Sequence, residues 1–211
     1  MTTLYKYPRT PHLPWSPGTT NDDRILRDVT HLEGKRLMAT VKMDGENTTL
    51  YSDHIHARSL DSGDHEGRHW IKAFHAGIKY FIPEGWRICG ENMYAKHSIE
   101  YNDLPSYFLG FSVWNERNVC LSWDKTVDFF TYLNIFTPIQ FIFDPMLSLK
   151  EIDKRYHGIF GAKEEGYVVR LYDEFKYEDF EKSVAKYVRA DHVPTDEHWM
   201  HKKVIPNKLR L

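Results

Sequence analysis

The chain has 211 residues, of which 41% are hydrophobic and 15% aromatic, and its net charge at pH 7 is −2. This length and composition predict a globular domain that buries a core without disulfides or metal staples. The near-neutral charge excludes a protein that coats nucleic acid by general attraction, so any nucleic acid would need a local basic surface. Two cysteines outside a C-x-x-C motif, with no signal peptide or membrane-length apolar run, predict a reduced cytoplasmic protein.

Residues 1–35 are predicted to form an arm and one short helix within the same domain as the rest. Four prolines in the first twenty residues favour an extended segment that lies over the domain surface. The spacing of Leu26, Val29 and Leu32 puts these side chains on one helical face. It therefore predicts a short helix over residues 22–32.

Residues 36–190 are predicted to form the core of the domain, and residues 191–211 a polar tail. Apolar or aromatic runs predict strands within residues 36–51, 55–59, 86–92, 107–114, 119–123, 138–143, 167–172 and 184–188. Helical spacing predicts helices at 70–81, 124–133 and 148–156, with Asp124 and Ser148 capping the last two. Because the pattern lacks a βαβ rhythm, the predicted fold class is α+β with largely antiparallel sheets.

The sharpest motif is Lys42-Met43-Asp44-Gly45, at the end of a predicted strand. Taken alone, such a motif is more often a strand that ends in an Asp-Gly turn. In a functional interpretation, the motif provides a nucleophilic amine at Lys42 and a carboxylate two residues later at Asp44. A free lysine titrates near pH ~10.4, so attack at neutral pH needs a site that disfavours the charged amine, through burial or nearby cations.

Four further segments follow in the order expected if several strands converge on one nucleotide. They contribute the carboxylates of Glu91 and Glu165, an aromatic strand around Phe111, and the cations of Lys186 and Arg189. Each residue alone is more often structural. Together with the lysine they supply a nucleophile, a ribose acceptor, a stacking ring, a metal carboxylate and phosphate cations.

This ordered set, from residue 40 to residue 189, resembles the covalent nucleotidyltransferase superfamily of polynucleotide ligases and capping enzymes. It is most similar to the phage-type nick-sealing RNA ligases. The resemblance implies antiparallel sheets that flank a nucleotide cleft, with ATP as substrate and Mg²⁺ or Mn²⁺ as cofactor. It also implies three steps: a lysine takes AMP from ATP, AMP passes to an RNA 5′-phosphate, and a 3′-OH displaces the AMP.

The resemblance assigns Lys42 as the nucleophile and places Asp44 and Glu165 at the metal. The other implied nucleotide contacts are Asn47 near a phosphate, Arg58 at the ribose or 5′-phosphate, Glu91 at the ribose, Phe111 (with Phe108 and Trp114 as rivals) on adenine, and Lys186 at a phosphate. One departure concerns the last motif, because the family usually carries Lys-x-Lys where this chain has Lys186-Tyr187-Val188-Arg189. Either Arg189 replaces the second lysine, or the strand is shifted and Lys182 takes part.

Two alternatives stay open beside the RNA ligase. One is another covalent nucleotidyltransferase, a DNA ligase or a capping guanylyltransferase, against which Asn47 and the lack of room for an OB-fold domain argue. The other is a non-catalytic RNA-binding module with the same fold, against which the intact Lys42, Glu91 and Glu165 argue. The expected partner is RNA with 5′-phosphate and 3′-OH ends, held as a nicked duplex, with no membrane partner.

Two questions about the C-terminal part are also left open by the sequence. The chain is expected to be either a naturally short ligase or the catalytic domain of a longer one. His192, His198 and His201 cluster in the sequence, and the spacing of His198 and His201 suits a metal, but no cysteine pair accompanies them. A surface role or contact with RNA phosphate is therefore favoured for these histidines.

Overall fold

A computed structural model describes residues 2–142, 144, 146–161, 163–192 and 203–210. The described residues form nine strands, β1 to β9, at Leu37–Lys42, Glu46–Leu50, Ile55–Ala57, Arg87–Asn92, Phe108–Trp114, Val119–Cys120, Gly166–Leu171, Phe175–Lys176 and Val184–Val188. They also form four α-helices, α1 to α4, at His69–Ile78, Trp123–Tyr132, Leu149–Phe160 and Phe180–Ser183. Short 3₁₀ helices lie at Glu66–Arg68, Lys79–Phe81 and Tyr177–Asp179.

The strands make two sheets in which all the named pairs are antiparallel. The first sheet has the order β1-β7-β9, and the second has the order β3-β2-β4-β5-β6-β8. The predicted α+β class with antiparallel sheets is therefore confirmed. None of the helices described here is both long and apolar enough to span a bilayer. Cys89 and Cys120 are buried as free thiols.

The first sheet has one apolar face and one polar face, because successive side chains of a strand point to opposite sides. Its apolar face joins α3 in a buried cluster that includes Ala39, Val41, Ile152, Tyr156, Tyr167 and Val169. The residues of opposite parity, which include Thr40, Lys42, Val168 and Lys186, face a cleft. The alternation of this sheet thus places the lysine on the open side.

Helix α3 begins as the sequence predicts, and α2 does not. Ser148 and Glu151 form a reciprocal capping box at the start of α3. Helix α2 begins at Trp123, so the residue in the capping position is Ser122 and the prediction of Asp124 as the cap is wrong. Asp124 lies in the first turn, where a carboxylate favours a helix through the helix dipole.

The helix predicted over residues 22–32 is also wrong, because these residues form turns. The amide of Leu26 donates to the carbonyl of His12 at 2.9 Å, which ties the segment to the arm. The side chain of Asp23 accepts from the amide of Thr20 at 3.0 Å. Such side-chain hydrogen bonds offer the backbone an alternative to helix. The apolar spacing reflects packing of Leu32 in the core.

The N-terminal arm is extended over the domain, as the prolines predict. The amide of Leu13 donates to the carbonyl of Lys186 at 2.8 Å, and the amide of Lys186 donates to the carbonyl of Pro11 at 2.9 Å. These bonds cover the outer edge of β9 in the first sheet. The arm therefore belongs to the sheet that carries the polar face.

Two segments differ from the sequence prediction, and in both the backbone or side chains bond to residues that are distant in sequence. Residues 138–142 form no strand, although Gln140 makes an isolated bridge to Thr40 and the amide of Val41 donates to the carbonyl of Ile139 at 2.9 Å. In the predicted tail, the described residues 203–210 dock on the core, where Asn207 is 2% exposed. The Asn207 side chain donates to the carbonyl of Met93 at 2.8 Å.

Candidate active site

A cleft of about 970 Å³ opens between the polar face of the first sheet and the second sheet. The first sheet lines it with Met38, Thr40, Lys42, Val168, Arg170, Val184 and Lys186, and the second sheet lines it with Asn47, Ala57, Glu91, Phe111 and Ser112. The arm adds residues from Tyr7 to Thr10. A cleft of this size, lined by both apolar and charged side chains, matches the sites that hold small ligands.

Lys42 ends β1 and lies against Glu165, the residue before β7. The two are brought together because Lys42 is paired with Gly166 in the sheet register. A Cβ atom at Gly166 would lie 1.9 Å from the carbonyl oxygen of Tyr187, so only glycine allows this approach of β7 to β9. The Lys42 Nζ is 2.6 Å from the Glu165 Oε2, and the side chains are 24% and 7% exposed.

The charge state of Lys42 differs from the sequence prediction. Burial acts to lower the pKa of Lys42, but attraction to Glu165, Glu91 and Asp44 outweighs it and raises the pKa above its ordinary value. The expected depression of the lysine pKa is therefore wrong for the nucleotide-free protein. In this state the lysine is held as the ammonium ion.

Glu91 faces Lys42 from the second sheet, on β4. It is paired with Asn47 of β2 in the register. Burial raises the pKa of Glu91 to about 8, opposed by Lys42 and reinforced by Glu165 and Asp44. A neutral carboxyl in this position has both a donor and an acceptor to offer a sugar hydroxyl.

Replacing Glu91 with glutamine is expected to make the nucleotide-free protein more stable above pH 8, with little effect at pH 5. Since the folded-state pKa is raised, unfolded wild-type chain releases a proton that the folded protein keeps. The stability of the wild type therefore falls as pH rises from about 5 to about 8, whereas glutamine does not titrate. The expected gain is about 1 to 3 kcal/mol, measured by urea unfolding at several pH values.

The control for this prediction is Glu84→Gln at an exposed position. That variant should follow the wild type at every pH. A stability difference between Glu91→Gln and wild type that stays constant from pH 5 to pH 9 would contradict the raised pKa.

Asn47 and Arg58 bring unpartnered polar atoms to the cleft. The Asn47 Oδ1 and the Arg58 Nε are buried without a hydrogen-bond partner, and both residues line the cleft. Buried polar atoms are nearly always paired, so these two indicate groups that a bound ligand satisfies.

Of the three candidate stacking rings, Phe111 has the best access to the cleft. Phe108 is buried in a core cluster with Ile88 and Val113 and does not line the cleft. Trp114 lines it but is fully buried. The half-buried Phe111 lines the cleft and makes an edge contact with Tyr7, with ring centroids 5.2 Å apart.

The last motif brings one predicted cation to the cleft. Lys186 lines it, 3.7 Å from Asp23, and burial with repulsion from Lys42 lowers the pKa of Lys186. Arg189 does not line the cleft, and its Nε donates to the carbonyl of Glu164 at 3.0 Å. Lys182 is exposed on α4. The structure therefore gives neither residue the place of the second lysine.

Some cleft residues were missed by the sequence analysis. Glu46 and Arg68 form an ion pair at the cleft wall, and neither belonged to a motif. Arg170 lies near the end of the strand predicted at residues 167–172 and was given no role. It lines the cleft while donating to the carbonyl of Leu121 at 2.6 Å. Only the alternation along β7, which puts Arg170 on the same face as Val168, was a usable signal.

The two predicted metal residues lie together beside the lysine, and a histidine joins them. Asp44, Glu165 and His192 each offer a ligand atom, and these atoms lie within 4.8 Å of one another. The Asp44 Oδ2 accepts from the amides of Ser98 and Ile99 at 2.7 and 2.8 Å. Carboxylate oxygens fit Mg²⁺ or Mn²⁺. His198 and His201 lie outside the described residues.

Comparison with known proteins gives a consistent set of matches. The sequence profile of the RNA ligase family matches residues 35–188. The structure of Naegleria gruberi RNA ligase with PPi is 17% identical, with a TM-score of 0.52, over 76% of this chain and 51% of that one. A mutant of the Naegleria ligase is solved with ATP and Mn. The search among curated proteins gives no match.

Two further solved structures share the fold. An archaeal ATP-dependent RNA ligase is 14% identical, with a TM-score of 0.60, over 88% of this chain and 48% of that one. A putative ATP-dependent DNA ligase from Aquifex aeolicus is 17% identical, with a TM-score of 0.53, over 88% and 50%.

At these identities the structural likenesses establish the fold alone, and it is that of the covalent nucleotidyltransferase ligases, as the sequence predicts. The chain spans about half the length of these ligases. The family match is broader evidence, because it covers most of the chain and includes Lys42, Glu91, Glu165 and Lys186. The chain therefore belongs to the RNA ligase family.

Proposed function

We propose that this chain is the nucleotidyltransferase domain of an ATP-dependent RNA ligase and that Lys42 carries AMP covalently. The observation that carries the proposal is the position of Lys42. Its Nζ lies in the cleft, 2.6 Å from Glu165 and facing the side that holds Glu91 and Phe111. A nucleophile, a nearby proton acceptor and unpartnered polar groups in one cleft are what such a transfer requires.

In the first step the lone pair of the Lys42 Nζ forms a bond to the α-phosphorus of ATP. The bond from that phosphorus to the bridging oxygen breaks, and pyrophosphate leaves with the electron pair. Nζ must lose a proton before attack, and the Glu165 carboxylate is its nearest acceptor. Lys186 lies on the same face of the sheet and can offset charge that develops on the phosphate.

The following two steps return the lysine to its starting state. An oxygen of the RNA 5′-phosphate attacks the AMP phosphorus, the P–N bond breaks with its electron pair going to Nζ, and AMP is joined to the RNA end. Nζ takes up protons and becomes the ammonium ion again. The 3′-OH of the other RNA end then attacks the 5′-phosphate, loses its proton and releases AMP.

The other site residues would contact different parts of one bound ATP molecule. Phe111 stacks on adenine, Glu91 holds the ribose, and Asn47 and Arg58 contact phosphate oxygens, so that the unpartnered Arg58 Nε donates to a phosphate oxygen. Asp44 and Glu165 would hold the divalent ion. Bound there, Mg²⁺ or Mn²⁺ would supply positive charge beside the phosphates and lower the barrier to displacement.

The test is incubation of the protein with ATP or GTP in the presence of Mg²⁺, followed by denaturation and intact-mass measurement. A mass increase of one AMP with ATP alone supports the proposal. An adduct with GTP alone indicates a guanylyltransferase instead. The absence of any adduct with either nucleotide indicates a non-catalytic module.

Sealing of a nicked RNA duplex is expected to exceed joining of free single strands by about tenfold or more, because the duplex aligns the 3′-OH with the 5′-phosphate. The net charge of −2 provides little general attraction for a long single strand. Since the few phosphate contacts are ionic, sealing should also fall steeply with salt. Both substrates are to be compared at several salt concentrations.

Two controls accompany the sealing assay. A nick with a 5′-OH should not be sealed, and an all-DNA nick tests the DNA ligase alternative. Equal or faster joining of single strands would contradict the preference for nicks. Adenylylation without transfer to any RNA would assign the joining steps to a longer protein of which this chain is one domain.

A further inference from the structure

His192 follows β9 and lies just beyond the residues that the RNA ligase family profile matches, which end at 188. Its side chain is only 9% exposed, and its Nε2 is 3.4 Å from the Glu165 Oε1. Glu165 thus contacts Lys42 through one oxygen and His192 through the other. His192 therefore lies in the candidate site, although the family match does not extend to it.

The three potential ligands are positioned by the first sheet. Lys42, Gly166 and Val188 are neighbours across β1, β7 and β9, so Asp44, Glu165 and His192 leave the sheet at the same end. Their ligand atoms lie within 4.8 Å of one another. Among the described residues this is the only such group of three or more His, Cys, Asp or Glu.

One oxygen of the Asp44 carboxylate is already hydrogen-bonded. The Asp44 Oδ2 is held by two backbone amides, which fixes the carboxylate. Among the residues that the structure describes, no backbone amide donates to the other Asp44 oxygen. A carboxylate fixed by amides is a preorganised ligand, because its orientation is not lost when an ion leaves.

We propose that Asp44, Glu165 and His192 together bind one divalent ion and that His192 makes the site prefer Mn²⁺ over Mg²⁺. The assignment of the two carboxylates to a metal rests on the proposed function, whereas the role of His192 is new. Mg²⁺ is bound almost wholly by oxygen, while an imidazole nitrogen suits the first-row transition ions. Three protein ligands leave positions for water or phosphate oxygen.

The first experiment measures Mn²⁺ binding to the nucleotide-free protein by the loss of the EPR signal of free Mn²⁺. His192→Ala should weaken Mn²⁺ binding by about tenfold or more. Mg²⁺ affinity, measured by competition, should change by less than about threefold. The matched control is His69→Ala, which removes a histidine whose side chain is 63% exposed at the start of α1, and this variant should bind both ions like the wild type.

A second measurement uses only the wild type, so it holds even where His192→Ala does not fold. Pulsed EPR of bound Mn²⁺ should reveal coupling to a ligand nitrogen. Bound Mn²⁺ without nitrogen coupling, or unchanged Mn²⁺ affinity in folded His192→Ala, would overturn the proposal and leave a hydrogen bond to Glu165 as the only role of His192.

The outcome is separable from that of the proposed function. Adduct formation with ATP and Mg²⁺ is measured on the same wild-type preparation. Mn²⁺ binding through nitrogen without an adduct supports the metal site and contradicts the ligase assignment. An adduct without nitrogen-coupled Mn²⁺ supports the ligase assignment and contradicts the role of His192.

Discussion

Changing Lys42 to arginine is expected to lower the rate of nucleotide adduct formation by roughly four orders of magnitude or more. Arginine keeps the positive charge and can still pair with Glu165, but a guanidinium is not deprotonated in a protein and has no lone pair for attack. Because the ion pair is kept, the free energy of unfolding should change by less than about 1 kcal/mol. Intact mass after incubation with ATP and Mg²⁺ measures the adduct.

The steps of the reaction allow a sharper control. RNA that already carries AMP at its 5′ end needs no lysine nucleophile, so Lys42→Arg should still seal it at a nick. Lys182→Arg, at an exposed position on α4, should form the adduct like the wild type. An adduct that persists in Lys42→Arg would assign the nucleophile to another residue.

The parts of the fold that the sequence predicted well are those with a strong local cause. The strand β1 and the cap of α3 at Ser148 depend on residues that are close in sequence, and both are observed. The helix predicted over residues 22–32 failed because the arm competes for the same backbone groups. Pairing between distant segments leaves little trace in local spacing.

Site residues were likewise predicted well where their position depends on a local strand pattern. Side chains at the ends or on one face of predicted strands reached the cleft, as Lys42, Glu91 and Lys186 did. Arg189 did not, since its position one residue past β9 turns it toward the carbonyl of Glu164. The approach of His192 to Glu165 depends on the path of the chain after the last strand, which no spacing rule supplies.

Charge states were the least predictable property. Attack by Lys42 at neutral pH led us to expect a lowered lysine pKa. The nucleotide-free cleft raises the pKa of Lys42 instead, because the amine is attracted to Glu165, Glu91 and Asp44. A pKa depends on all charges within several ångströms, so it follows from the assembled site rather than from one motif.

Replacing Glu165 with glutamine should therefore have a large effect on catalysis and a smaller one on stability. The change keeps the shape of the side chain but removes the charge that faces Lys42 and the metal position. Adduct formation is expected to slow by roughly 10²- to 10³-fold, the size of one lost electrostatic group. The Mg²⁺ concentration needed for half-maximal rate should rise.

The stability change follows from the pair that is broken. Lys42 would keep its charge in a partly buried position without its nearest counter-ion, and its side chain is only 24% exposed. The expected loss is about 1 to 2 kcal/mol by urea unfolding, less than for a fully buried pair because the amine keeps some water. This loss is too small to account for the fall in rate by unfolding.

The matched control is Glu164→Gln, which removes the neighbouring carboxylate. Glu164 is half-buried and does not line the cleft, and its backbone carbonyl still accepts from Arg189. Its rate and Mg²⁺ dependence should stay within about threefold of the wild type, since charges outside the site contribute little. If Glu165→Gln forms the adduct at the wild-type rate at every Mg²⁺ concentration, then Glu165 neither accepts the lysine proton nor holds the metal. The contact with Lys42 would then serve only to keep the free amine charged until ATP arrives.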